Sequence, residues 1–226
     1  MQGAETDTDG AEQLAHARPV VERWLVWSGI VPLPAFLLLH LTCELSRAFA
    51  SDPSEVVRSP TSGVELVLSV LLVWSPLCVH VLLGAWLTLG TRPRLAAPLD
   101  VPRLPRLMSL IAGGLSGAFL LYHALAFPVA VWLGEADARD AGFRLIGLLS
   151  STRGGVPLSA AAYLFGVLAT STHAALGVHR GLLLEGLLRN PARRLASARL
   201  CAALGVLSFT LGAAAVIRVA SGVLLR

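Results

Sequence analysis

Residues 75–90 read "SPLCVHVLLGAWLTLG", an apolar run broken by a single ionisable side chain, His80. Traced back to residue 65, the run is longer than the ~20 residues a helix needs to cross a bilayer. An imidazole in hydrocarbon is costly, so a histidine at this place points to function. Four similar apolar runs occur in the chain. The segments approximately 24–46, 65–90, 107–133, 156–183 and 198–222 predict an all-α integral membrane protein with five transmembrane helices.

Composition agrees with that reading. A mean hydropathy of +0.70 does not fit an ordinary soluble domain. The chain is 55% hydrophobic and only 14% charged, which fits mostly membrane-spanning sequence. Small residues are abundant and let helices, or a flat cofactor, approach closely. The basic count is arginine throughout, and it is spread between the apolar runs, so it forms no stripe for nucleic acid. With the N-terminus inside, eleven arginines fall on the inner side and seven on the outer. That bias predicts a cytoplasmic N-terminus and an external C-terminus. Residues 1–22 are polar and acidic, lack the features of a signal peptide, and are expected to form a cytoplasmic tail before a membrane domain over 23–226. Segment 142–149, "GFRLIGLL", is expected to lie as a short amphipathic helix at the interface. Pro32, Pro34, Pro76 and Pro128 fall inside the runs, where each frees a carbonyl one turn earlier. Cys43, Cys78 and Cys201 form neither a zinc pair nor a covalent haem site.

Four of the five runs each carry one deep histidine: His40, His80, His123 and His173. At ~1.5 Å per residue, His40 and His123 lie about 15–16 residues from the inner ends of their runs, and His80 and His173 about 10. The histidines therefore sort into an outer and an inner pair, separated by about 8–9 Å. Two imidazoles facing each other at one depth can ligate one haem iron axially, so the pattern predicts a haem-binding bundle. "HVLLG" (80–84) and "HAALG" (173–177) place Gly84 and Gly177 one turn after the inner histidines, leaving room for a macrocycle. "GGLSG" (113–117) is expected to give room at the outer pair. A membrane histidine can also be a plain hydrogen-bonded packing group, and His179 is a rival to His173 as ligand.

Nearly the whole chain, roughly 20–222, resembles the di-haem cytochrome b membrane anchor of succinate:quinone oxidoreductases, in the form with one five-helix polypeptide. "PLCVHVLLGAWL" around His80, "GAFLLYHALAF" around His123 and "STHAALGVHRGL" around His173 carry the likeness; the stretch around His40 matches least. The resemblance implies two haem b groups, the proximal one on His80 and His173 and the distal one on His40 and His123. It implies a flavoprotein with FAD and an iron–sulfur protein docked on the cytoplasmic loops of a bacterial inner membrane. Electrons would pass between succinate and a membrane quinone, menaquinone in much of this class; the anchor alone would not oxidise succinate. Related fumarate reductases carry a glutamate two residues before the fourth-helix ligand, where this chain has Ser171, flanked by Thr172. Glu44 and Glu65 are acidic candidates for quinol protons, and Arg47, Arg94 and Arg180 for haem propionates. Two other readings stay open: a di-haem cytochrome b serving a hydrogenase or formate dehydrogenase, and a haem-free transporter or structural bundle.

Overall fold

The computed structural model describes residues 20–30, 32–49, 67–89, 103–135 and 138–221. Glu65, Arg94 and most of the expected tail lie outside these residues, as does the side chain of Arg47. Five helices are long and apolar enough to cross a membrane: α1 (Val20–Ser46), α2 (Val67–Thr88), α3 (Leu107–Trp132), α5 (Leu158–Leu184) and α6 (Pro191–Ala220). A shorter helix, α4 (Ala138–Ser150), joins α3 to α5. In hydrocarbon every backbone group must find a partner within the chain, and the helix is the local structure that provides one.

Helix direction alternates, and the contacts show it. One core cluster gathers Phe127 near the end of α3, Ala160 and Tyr163 near the start of α5, and Ala215, Val216 and Val219 near the end of α6. Leu45, at the end of α1, packs against it. Four residues of α4, Ala141, Leu145, Ile146 and Leu149, complete the cluster. The amphipathic segment is thus a packed part of the bundle, its apolar stripe pressed on α5 and α6. We call this the α4 side and the other end the far side.

Small residues set the helix contacts. A Cβ added at Gly212 would come 2.6 Å from Val167, and one at Gly205 would come 2.9 Å from Ala175. Gly166 lies under Phe119, and Gly181 under Ile30. Lipid supplies no hydrophobic force between helices, so such close approach is what holds them. The result is a packed group in which α6 touches α1 and α5, and α5 touches α3. The second span is different. It packs chiefly along α1, and none of its described residues is buried.

The start of the last span differs from expectation. The last apolar run is expected from about residue 198, yet α6 begins at Pro191. Asn190 caps it by accepting a hydrogen bond from the Arg193 N–H at 2.7 Å, and Pro191 fills the first helical position. The stop of α5 is equally explicit. Gly186 takes φ +69°, its N–H reaches Leu183 O, and Leu187 N–H reaches Leu182 O, which closes the helix with a Schellman motif. Two prolines coincide with wider turns: a π-helical turn over Val70–Trp74 precedes Pro76, and another, Leu125–Val129, contains Pro128. Each turn accommodates a residue that offers no N–H.

Candidate functional site

The structure brings together the histidines that the depth argument pairs. On the far side, His80 of α2 and His173 of α5 have ring centres 6.0 Å apart at 68°. On the α4 side, His40 of α1 and His123 of α3 have ring centres 6.2 Å apart at 66°. Neither pair joins helix segments packed closely along each other among the described contacts: α2 with α5, and the Pro32–Ala48 part of α1 with α3, are not among the close ones. In both places the imidazoles reach across an interval that the backbones leave open.

The far-side pair is held at its Nδ1 atoms. His80 Nδ1 lies 3.0 Å from Leu25 O, with Ser28 Oγ at 3.4 Å. His173 Nδ1 lies 3.3 Å from Ser109 O. A carbonyl oxygen can only accept, so each Nδ1 carries the proton and each Nε2 keeps its lone pair. Metal-ligating histidines usually show this arrangement, their second nitrogen donating to a carbonyl or carboxylate.

The α4-side pair has aromatic surroundings. His40 stacks on Phe36 at 5.3 Å, and His123 lies among Phe119, Phe127 and Tyr163 at 5.9, 5.5 and 6.0 Å. The carboxylate of Glu44, one turn on from His40, stands 3.8 Å from its Nδ1. His123 Nδ1 and the Tyr163 hydroxyl are both buried and have no hydrogen-bond partner.

Two imidazoles bound through nitrogen to opposite sides of one metal ion, each ~2 Å from it, have ring centres about 6 Å apart. Both observed separations match that figure. Among the described residues no group of three or more His, Cys, Asp or Glu side chains converges on a point. A metal held by either pair would take its other donors from outside these side chains, and a haem macrocycle is one group that supplies them. The residues present fit such a group.

Other expectations fare differently. His179 turns to α6, where its Nδ1 meets Ser197 Oγ at 3.0 Å; His173 is the residue opposite His80. The room expected from "GGLSG" at the outer pair is partly reassigned, because Gly113 lies against His173. The cause is distance: Gly113 is ten residues before His123, about 15 Å along the helix. The space beside Gly177 is open, and beside Gly84 only Leu25 comes near, at 3.8 Å. Ser171 is buried with an unpartnered hydroxyl, and it lines a small, mostly apolar cavity between α1, α5 and α6. Arg180 is exposed beside His179. Two residues that matter most to the far-side rings, Gly29 and Gly113, carry no local sequence signal, since each belongs to a different helix from the histidine it touches.

The chain matches no family model, no curated protein and no solved structure.

Proposed function

We propose that this five-span membrane protein is a di-haem cytochrome b. In this reading His80 and His173 hold one b-type haem, and His40 and His123 the other. The observation that carries the reading is the pairing itself. Four histidines on four helices fall into two imidazole pairs at a metal-bridging separation, and each pair spans helix segments that do not pack closely along each other. The carbonyls of Leu25 and Ser109 support it, because they fix the tautomer that leaves Nε2 available.

When bound, such groups supply one-electron transfer along the membrane normal between a soluble partner and a membrane quinone. The rest is work for the chain. Leu25, Ser28 and Ser109 orient the far-side imidazoles, while Phe36, Phe119 and Phe127 keep the α4-side pair in an apolar setting. Glu44 places a carboxylate beside His40 that can accept a proton from a quinol or from the imidazole. Ser171 offers no such carboxylate at its own position. In physiological terms we place the chain as the anchor and electron-transfer subunit of a bacterial inner-membrane succinate:quinone oxidoreductase. A flavoprotein and an iron–sulfur protein would bind on the cytoplasmic side.

The test is the haem content of the purified chain by pyridine haemochrome, together with a dithionite-reduced spectrum. About two b haems per chain are expected. A colourless preparation from haem-replete cells would overturn the proposal in favour of a haem-free bundle. Co-purification with a hydrogenase or formate dehydrogenase would keep the cytochrome and change its partner.

A further inference from the structure

The two far-side imidazoles are seated in the same way, although they sit on different helices and face different neighbours. His80 lies over Gly29 of α1, with its Nδ1 on the carbonyl of Leu25. His173 lies over Gly113 of α3, with its Nδ1 on the carbonyl of Ser109. In each case the glycine is four residues after the carbonyl, which is the residue whose N–H that carbonyl serves within its own helix. The Ser109 carbonyl therefore has a second lone pair for the incoming ring, and the Leu25 carbonyl shares its second between the His80 ring and the Ser28 hydroxyl, which donates to it at 3.0 Å.

The contacts explain why the fourth residue is glycine. A Cβ at Gly29 would stand 2.6 Å from Cε1 and 2.8 Å from Nδ1 of His80, but 3.5 Å from Nε2. A Cβ at Gly113 would stand 2.8 Å from Cε1 and 3.0 Å from Nδ1 of His173, but 3.6 Å from Nε2. Both rings thus lie with the Cε1–Nδ1 edge on the glycine, and of the three ring atoms nearest it Nε2 stands furthest off. Any side chain at 29 or 113 would lift the ring off the carbonyl.

We infer that Gly29 and Gly113 are positioning residues: each forms, with the carbonyl four residues earlier, a seat that holds the far-side imidazole as its Nδ1–H tautomer with Nε2 presented for ligation. As a statement about ligation this rests on the di-haem reading above. As a statement about ring tautomer it rests on the contacts alone. Seats on α1 and α3 also make the far-side site depend on four helices, although only α2 and α5 supply its imidazoles.

The experiment is 15N NMR of histidine-labelled full chain in lipid nanodiscs, prepared without haem, with His80→Gln and His173→Gln variants giving the assignments. Free neutral imidazole side chains favour the Nε2–H form, so an Nδ1–H signal from both His80 and His173 is the expected result. Gly29→Ala should shift the His80 signal alone, Gly113→Ala the His173 signal alone, and Gly114→Ala, whose added methyl meets open space, neither. Nε2–H signals from both residues in the unaltered chain would overturn the inference without any variant. So would alanine variants that fold and keep the original signals. In haem-replete preparations Gly29→Ala and Gly113→Ala should each lose one haem and keep the other. Retention of both haems with an unchanged spectrum would overturn the ligation role. No haem in the unaltered chain would overturn the di-haem reading and leave the seats to the NMR result.

Discussion

His80 and His173 face each other at 6.0 Å from helices that are not packed along each other. Side chains that bridge an open interval between helices need something there to repay the desolvation of their polar atoms. The Leu25 and Ser109 carbonyls do this for the two Nδ1 atoms, and in the di-haem reading a shared ligand does it for the two Nε2 atoms.

Removing either member of a pair should have the same consequence. His80→Ala and His173→Ala should each reduce haem from about two per chain to about one, as should His40→Ala and His123→Ala for the other site. Pyridine haemochrome on the purified variants checks this. Unequal losses within a pair would mean that the pairing is wrong.

His179→Gln should leave both haems in place. The residue joins α5 to α6 through Ser197 at 3.0 Å, and Ser197 is itself buried. Loss of that bond should cost about 1 kcal/mol. A lower midpoint in thermal or denaturant unfolding, with an unchanged reduced spectrum, is the expected pair of readings.

Glu44→Ala should act on one site alone. With a carboxylate 3.8 Å from His40 Nδ1, the α4-side pair has an outer partner that the substitution deletes. Loss of such a partner typically weakens a metal site about 10–100-fold. Titrating haem into haem-depleted protein should therefore show one weakened and one unaltered binding phase.

Asn190→Ala should destabilise the start of α6 by about 1 kcal/mol. The side chain caps that helix through the Arg193 N–H, and no histidine lies nearby in sequence. Thermal unfolding should register the change while haem content stays constant.

The five spans and the two histidine levels were legible in the sequence for a definite reason. Apolar run length reports span, and a fixed rise per residue converts position into depth. Depth alone pairs His40 with His123 and His80 with His173 once direction alternates. Rotation about each helix axis, and so the neighbour each residue meets, is not written locally. For that reason the glycines beside the histidines in the chain, Gly84 and Gly177, drew notice, while of the glycines that touch the rings Gly29 did not and Gly113 was assigned to the other pair. His179 illustrates the same limit, since only its neighbour Ser197 on α6 shows that it faces away from the pair. The early start of α6 was legible in principle from Asn190–Pro191, but the apolar run by which the span was read begins only near residue 198.

The second span is held differently from the rest of the bundle. It rests chiefly on α1, meets α3 through the Trp74–Trp132 contact, and meets α5 through the His80 ring. A segment with so few partners opens at lower free energy than its surroundings. Ligand bound between His80 and His173 would fasten it, by the mass-action rule that whatever binds the closed form stabilises it. The consequence concerns the lifetime of the protein in the cell. In the di-haem reading, a copy made while haem is scarce would leave this helix loose in the bilayer, where membrane proteases extract substrates. Supply of the cofactor would then decide how many copies survive.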